Sequence, residues 1–145
     1  RRDFVEYYTK HSTDLSKPYP GIMETVSELE RRGIVRAVAS NKYQAATEKL
    51  VAHFFGEETF RVVLGQREGI APKPDPTIVR DILSRTGFTP AETLYVGDSC
   101  VDMQTARNGG LRSVGVSWGF RPRAELEQNG ATFVIDCPAQ LLDLL

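Results

Sequence analysis

Three groups of polar residues stand where short apolar runs of the sequence end. The first group is Ser40, Asn41 and Lys42, which follows the run Ile34–Ser40. A hydroxyl and successive backbone N–H groups at the start of a helix suit a phosphate oxygen. Ser40 or Asn41 could instead simply cap the following helix, because serine and asparagine are favoured N-cap residues.

The second group is a single lysine in the loop Gln66–Pro76. A proline on each side of Lys73 restricts the backbone around this one cationic side chain. A lysine held in this way could neutralise a phosphate and a nearby carboxylate. The alternative is a surface lysine in a proline-rich turn.

The third group is a pair of aspartates after the apolar run Thr93–Asp98. Asp98 ends the run, Gly97 allows a close approach, and Asp102 follows one helical turn later, so both carboxylates can face one site. Mg²⁺ commonly takes one or two carboxylates together with substrate phosphate and water. The alternative is a helix cap followed by an ordinary surface aspartate.

Apolar runs alternate with helical patterns from Ile22 to the end of the chain, and this alternation predicts how the three groups are positioned. Such a pattern is typical of parallel βαβ units, so we expect a three-layer, Rossmann-like α/β fold with helices on both faces of the sheet. Ligands bind beyond the carboxyl ends of the strands in such sheets. The predicted strands are Ile34–Ser40, Phe60–Gly65, Thr93–Asp98, Arg112–Trp118 and Ala131–Asp136. The predicted helices are Ile22–Gly33, Tyr43–Phe55, Thr77–Thr86, Ser99–Gly109, Arg123–Gln128 and Ala139–Leu145.

The composition excludes several classes of protein. Hydrophobic residues make up 41% of the chain and charged residues 26%, and the net charge is −1, which gives no basis for binding nucleic acid or an anionic membrane. No apolar run approaches the length of a membrane span. Cys100 and Cys137 are read as reduced thiols. We therefore expect a soluble cytoplasmic protein; its oligomeric state is not predicted.

The ordered set of motifs resembles the haloacid dehalogenase superfamily of phosphohydrolases, and within it the phosphoglycolate phosphatase group. The segments AVASNK, APKPDP and LYVGDSCVDMQTARNGG correspond to the second, third and fourth motifs of that superfamily. The resemblance implies that Ser40 and the Asn41 amide hold the phosphoryl oxygens. It implies that Lys73 is catalytic and binds phosphate, that Asp98 binds Mg²⁺, and that Asp102 supports the metal directly or through water.

The first motif of the superfamily, Asp-x-Asp-x-Thr, is absent from this sequence. In the superfamily it supplies the nucleophile and lies on the central strand, between the strands that here end at Ser40 and Asp98. We therefore expect a core domain, 18–145, that lacks its central first strand. The amphipathic segment Arg1–His11 is predicted to be a helix, and residues 1–17 a remnant of a helical cap with its linker. The natural protein is expected to continue N-terminally.

The expected function is that of the whole protein. It is Mg²⁺-dependent hydrolysis of a small phosphorylated metabolite such as 2-phosphoglycolate, through an aspartyl phosphate whose nucleophile lies outside this chain. The chain alone is predicted to be inactive. One alternative is a non-catalytic module that binds phosphate or metal, and another is a structural α/β domain in which these residues are only caps and turns.

Overall fold

The structure is a computed structural model that describes residues 3–6, by their backbone, and residues 21–118 and 122–145. The strands are β1 (Asp3–Glu6), β2 (Val35–Tyr43), β3 (Val62–Gln66), β4 (Thr93–Gly97), β5 (Arg112–Val116) and β6 (Phe133–Ile135). The α-helices are α1 (Ile22–Arg31), α2 (Gln44–Phe55), α3 (Thr77–Thr86), α4 (Cys100–Gly109) and α5 (Arg123–Gln128). Two 3₁₀ helices cover Pro90–Glu92 and Pro138–Leu144. None of the described helices is long and apolar enough to span a bilayer.

The strands form a single six-stranded sheet in the order β3-β2-β1-β4-β5-β6, and all the pairs are parallel. This confirms the α/β fold predicted from the alternation of apolar runs and helical patterns. Because the strands are parallel, the carboxyl ends of β2, β3 and β4 lie at one edge. The first polar group, Ser40 to Lys42, lies in the last part of β2, whereas Lys73 and the two aspartates follow β3 and β4.

Helices cover both faces of the sheet, as expected. On one face α3 and α4 pack against alternate residues of the strands, including Ala37, Ala39 and Tyr95. On the other face α1 and α2 pack against Val38, and the C-terminal 3₁₀ helix packs near Val96. Successive strand residues point to opposite faces, so β4 places Leu94 and Val96 in one layer and Tyr95 in the other.

Strand β2 differs from its prediction at its carboxyl end. It continues through Asn41 and Lys42 to Tyr43, where the predicted strand stops at Ser40. A register shift in its pairing with β3 lies between Ala39 and Tyr43, so the added residues leave the regular ladder. The last predicted helix is instead the 3₁₀ helix Pro138–Leu144.

The N-terminal segment is the main correction to the sequence interpretation. Asp3–Glu6 is a strand, not part of a helix over Arg1–His11, and it pairs with both β2 and β4. The strand with the first motif is absent, but the central position that we expected to be empty is occupied. Residues 1–2 and 7–20, which include the rest of the predicted helix and most of the linker, lie outside the described residues.

The physical reason for this placement lies in the neighbouring strands. Without a strand between them, β2 and β4 would each leave a row of buried N–H and C=O groups unpaired, at a high cost in free energy. The segment DFVE contains phenylalanine and valine, which favour strands. Asp3–Glu6 belongs to the core sheet, so these four residues are not part of a helical cap. The boundary between a cap remnant and the core domain at residue 17 stays a prediction.

Candidate phosphate-binding site

A buried ion pair lies at the centre of the candidate site. The Nζ atom of Lys73 lies 2.9 Å from Oδ1 of Asp102, and both side chains are fully shielded from solvent. Lys73 comes from the loop after β3, whereas Asp102 lies in the first turn of α4. The pair therefore joins two of the three polar groups recognised in the sequence.

Three acceptors of the Lys73 ammonium group lie on residues that the structure describes. It donates to Asp102 Oδ1 at 2.9 Å, to the Tyr95 hydroxyl at 3.3 Å and to the Ala39 carbonyl oxygen at 3.4 Å. Pro72 and Pro74 on either side are exposed, yet Lys73 is buried. The alternative of a surface lysine in a turn is therefore wrong.

Burial also determines the protonation of this lysine. Loss of hydration lowers the pKa of the Lys73 ammonium group to about 7, although the carboxylates of Asp102 and Asp98 act in the opposite direction. An additional anion beside the ammonium group would favour its charged form. Burial and the neighbouring carboxylates therefore act on the pKa of Lys73 in opposite directions, and the effect of burial is the larger.

Asp102 accepts hydrogen bonds at both carboxylate oxygens. Oδ1 accepts from Lys73 and from the Tyr95 hydroxyl, the latter at 3.1 Å. Oδ2 accepts from the Asp98 N–H at 3.2 Å and from the Ser99 hydroxyl at 2.9 Å. The alternative of an ordinary surface aspartate is wrong, because Asp102 is fully buried. Its support of a metal stays a prediction, and direct coordination would compete with these four donors.

Gly97 makes this contact possible. A Cβ atom at Gly97 would lie 2.3 Å from the Cβ of Asp102, closer than any real contact. The missing side chain lets α4 start directly against the end of β4. Ser99 caps that helix, because its Oγ accepts from the Asp102 N–H at 3.3 Å, as the sequence predicts.

Asn41 holds the backbone of Lys73. Its Oδ1 accepts from the Lys73 N–H at 3.0 Å, and its Nδ2 donates to the Lys73 carbonyl oxygen at 3.4 Å. The N-cap residue of α2 is Tyr43, and no side chain caps that helix. The alternative in which Ser40 or Asn41 caps the helix is therefore wrong, and the side chain of Asn41 has a clamping role that the sequence interpretation missed.

Ser40 lies on β2 directly after Ala39, whose carbonyl accepts from Lys73. Its Oγ accepts from the Lys42 N–H at 3.0 Å, and the residue is only 3% exposed. Accepting this bond leaves the hydroxyl proton able to donate. Ser40 thus lies in the strand that borders Lys73; its contact with a phosphate stays a prediction.

Asp98 was predicted to bind a metal, and this role stays a prediction. It is half-buried at the end of β4, and its carboxylate contributes to the electrostatic environment of Lys73. Among the described residues, no three His, Cys, Asp or Glu side chains form a cluster that could hold a metal alone. This donor set fits Mg²⁺, which is commonly held by one or two carboxylates with phosphate and water; it does not provide a complete protein cage.

Two further residues position the site and were missed in the sequence. Tyr95 lies inside an apolar strand, and its hydroxyl contacts both members of the ion pair. Asn108 lies near the end of α4, and its Nδ2 donates to the Pro74 carbonyl oxygen at 2.9 Å. A tyrosine in a buried apolar run indicates that its hydroxyl needs a hydrogen-bond partner, but not which one. Nothing in the sequence around Asn108 predicts its contact with Pro74.

Comparison with known proteins identifies the family of this chain. A family profile described as haloacid dehalogenase-like hydrolase matches residues 1–116. The chain belongs to this family. The match includes β2, the Lys73 loop, β4 and α4, so all three polar groups fall inside it.

Curated members of the family are similar over nearly the whole chain. An N-acetylmuramic acid 6-phosphate phosphatase of Pseudomonas aeruginosa is 30% identical over 100% of this chain, which spans 65% of that protein. A phosphoglycolate phosphatase of Haemophilus influenzae is 32% identical over 98% of this chain, and the match covers 63% of that protein. The chain thus covers slightly less than two thirds of the length of these relatives.

A solved structure gives the same result for the fold. A protein of Lactobacillus delbrueckii subsp. bulgaricus, described provisionally as a phosphoglycolate phosphatase, superposes with a TM-score of 0.83 at 35% identity. The superposition covers 88% of this chain and 53% of the other. The sheet and its helices are therefore those of the family.

Proposed function

We propose that the whole protein is a Mg²⁺-dependent phosphomonoester hydrolase that acts on a small phosphorylated metabolite such as 2-phosphoglycolate. The observation that carries this proposal is the buried Lys73, held at the carboxyl edge of the sheet by Asp102 and Asn41. An ammonium group held in a water-excluded position at the ligand-binding edge of a parallel sheet would attract an anionic ligand. The names of the similar proteins support a phosphate ester as that anion.

Two side chains, those of Ser40 and Lys73, and the backbone N–H of Asn41 would hold the phosphoryl group. Ser40 would donate its hydroxyl proton to one oxygen, and the backbone N–H of Asn41 would donate to another. Lys73 would neutralise negative charge on the phosphoryl oxygens, and this stabilisation is strong because water is excluded around it. Ser40 and Lys73 are both nearly inaccessible in this structure, so the substrate reaches them only after the residues around them rearrange.

Asp98 would hold the metal, with Asp102 behind it. A bound Mg²⁺ would supply further positive charge at the phosphoryl oxygens. The N–H of Asp98 donates to Asp102, which fixes the backbone from which the Asp98 carboxylate projects.

The nucleophile would come from outside this chain. The residue that attacks must lie on the strand between β2 and β4, level with Ser40 and Asp98. Asp3 occupies that strand but is in register with Val35 and Thr93, roughly 16 Å along the strand from the level of Ser40 at about 3.3 Å per residue. We therefore propose that an N-terminal segment with an aspartate nucleophile takes the central position in the whole protein, and that this chain alone does not turn over substrate.

The test uses the full-length protein with Mg²⁺ and a panel of phosphate esters. The panel contains p-nitrophenyl phosphate, 2-phosphoglycolate and N-acetylmuramic acid 6-phosphate. We expect hydrolysis that is lost in Lys73→Ala and Asp98→Ala and retained in Lys49→Ala, which removes an exposed lysine from α2. A full-length protein that is inert towards the whole panel would refute the proposal.

A second function is supported by one observation. No aspartate of β1 lies level with Ser40, so a protein without a further strand could bind phosphate and Mg²⁺ but not cleave the ester. Calorimetric binding of inorganic phosphate without turnover in the full-length protein would favour this non-catalytic module.

A further inference from the structure

The buried tyrosine of β4 has a polar end in the candidate site. The side chain of Tyr95 is fully buried, and its ring packs in the core with Ala37, Ala39 and Ala106. These three small residues leave room for an aromatic ring between the sheet and α4. The ring therefore extends through the core, and its hydroxyl reaches the ion pair at the carboxyl edge of the sheet.

The hydroxyl forms a triangle with the ion pair. It donates to Asp102 Oδ1 at 3.1 Å and accepts from Lys73 Nζ at 3.3 Å, while Lys73 and Asp102 contact each other directly at 2.9 Å. A hydroxyl can donate to a carboxylate and accept from an ammonium group at the same time. A phenylalanine at this position would fill the same core space and make neither bond.

The backbone explains why the three groups meet. Tyr95 and Gly97 are two residues apart on β4 and so face the same side of the sheet. Because Gly97 has no side chain, Asp102 crosses above it and reaches the hydroxyl of Tyr95. The tyrosine thus lies below the pair and limits the positions that the flexible lysine side chain can take.

We infer that Tyr95 is a positioning residue, whose hydroxyl holds Lys73 and Asp102 in the arrangement that lets Lys73 neutralise a phosphoryl group. This inference rests on the proposed function for its effect on catalysis. The role that we assign to Tyr95 is exerted through Lys73 and not through contact with the substrate. The tyrosine acts by reducing the freedom of Lys73, because its hydroxyl is a further contact of Nζ, beside those with Asp102 and the Ala39 carbonyl oxygen.

The first measurement is steady-state kinetics of Tyr95→Phe in the full-length protein with Mg²⁺. We expect kcat to fall about tenfold, which is the effect of losing one hydrogen bond to a charged group. We expect KM to stay within about twofold, because Ser40 and the Asn41 amide still bind the ground state. Tyr43→Phe is the matched control, since it removes the same hydroxyl from a side chain that is 78% exposed.

If the Tyr95 hydroxyl had only a structural role, as a hydrogen-bond partner for buried polar groups, the kinetics would give a different result. Tyr95→Phe would then lower the stability but keep the wild-type kcat at temperatures where the protein is folded, and that outcome would overturn the inference. If Tyr95→Phe does not fold, Tyr95→Met is the second variant, because methionine adapts to irregular core space. The same fall in kcat is expected.

The second measurement does not need activity. A double-mutant cycle in urea unfolding combines Tyr95→Phe with Lys73→Met in the same protein. We expect the tyrosine substitution to cost clearly less once Lys73 is removed, whereas additive effects would contradict the inference. If the wild-type protein hydrolyses no ester, the proposed function fails, and the cycle still decides whether Tyr95 holds Lys73.

Discussion

Lys73 and Asp102 form an ion pair 2.9 Å apart from which water is wholly excluded. The two residues are far apart in the sequence, on the loop after β3 and at the start of α4. Burying a charge without a partner is costly, so each makes the burial of the other possible. The pair therefore couples the packing of α4 to the position of the Lys73 ammonium group, which we propose binds phosphate.

Removal of one partner should destabilise the fold. We expect Asp102→Ala to lower the free energy of unfolding by about 3 kcal/mol, because it leaves the Lys73 ammonium group buried without its carboxylate. Urea unfolding followed by circular dichroism measures the loss. Glu127→Ala removes an exposed partner of Arg123 and should cost less than about 1 kcal/mol; equal losses in the two variants would contradict this account.

Gly97 should not tolerate even a methyl group. A Cβ atom there would lie 2.3 Å from that of Asp102, so Gly97→Ala must push α4 away from β4. We expect a loss of about 2 kcal/mol or more in the free energy of unfolding. Gly109→Ala is the control, because its added Cβ would lie 3.2 Å from a movable side-chain methyl of Val79. A stable Gly97→Ala protein would show that the close approach is not required.

The two hydrogen bonds between the Asn41 side chain and the Lys73 backbone form a clamp, and substitutions at Asn41 should affect stability and activity to different degrees. Asn41→Ala removes both hydrogen bonds to the Lys73 backbone and should cost about 1 kcal/mol of stability. Asn41→Asp keeps the acceptor for the Lys73 N–H but sets a carboxylate oxygen against the Lys73 carbonyl oxygen and adds negative charge beside the proposed phosphate site. We therefore expect the order wild type, Asn41→Ala, Asn41→Asp in kcat/KM of the full-length protein, and an Asn41→Asp protein as active as the wild type would contradict the clamp.

The N-terminal strand can be tested with a proline. Val5 pairs in the centre of the sheet, opposite Ala37 and Tyr95, and proline cannot donate to the ladder. We expect Val5→Pro to destabilise the 145-residue chain by about 3 kcal/mol and Val5→Ala, which keeps the N–H, to cost much less. If both cost the same, the backbone of Val5 does not pair there.

Asp81 should contribute to stability only above acidic pH. Hydrogen bonds from Arg67 and then Arg85 lower the pKa of the Asp81 carboxyl, and Arg67 Nη2 lies 2.7 Å from Oδ2. The folded state therefore binds its proton less readily than the unfolded state, so the stabilisation is present above the unfolded pKa and is lost as the pH falls through the folded pKa.

The corresponding measurement compares wild type with Asp81→Asn in urea unfolding between pH 7 and pH 3. The wild type should be more stable by about 0.5–1 kcal/mol at pH 7, and the difference should disappear at the acid end. A difference that grows on acidification would have the wrong sign for this ion pair.

Some features were predictable because they depend on neighbours in the sequence. Helix α3 was predicted at its observed bounds, since it has an apolar stripe and ends at Gly87, which adopts a positive φ of 81°. Ser99 was predicted as a cap because the motif is local. The parallel sheet followed from the alternation of elements, which requires long crossovers between strands.

The N-terminal segment was not predictable in the same way. Arg1–His11 has a helical pattern, yet Asp3–Glu6 pairs as a strand. Local propensity is a weak preference, and unpaired backbone groups on two buried neighbours outweigh it. The pairing partners of these residues lie about 30 and 90 positions along the chain, where no local pattern reaches.

The sequence by itself determined the family and showed that a polar group comes at the end of successive predicted strands. It also identified the candidate site residues, which are Ser40, Lys73, Asp98 and Asp102. These depend on residue types at fixed spacings after apolar runs. Only the tertiary structure decided that Asp102 accepts from four donors, that Asn41 holds the Lys73 backbone and that Tyr95 completes the ion pair. The physical reason is that a buried polar atom must find its partners wherever packing brings them, and packing of α4 against β4 joins residues that the sequence keeps far apart.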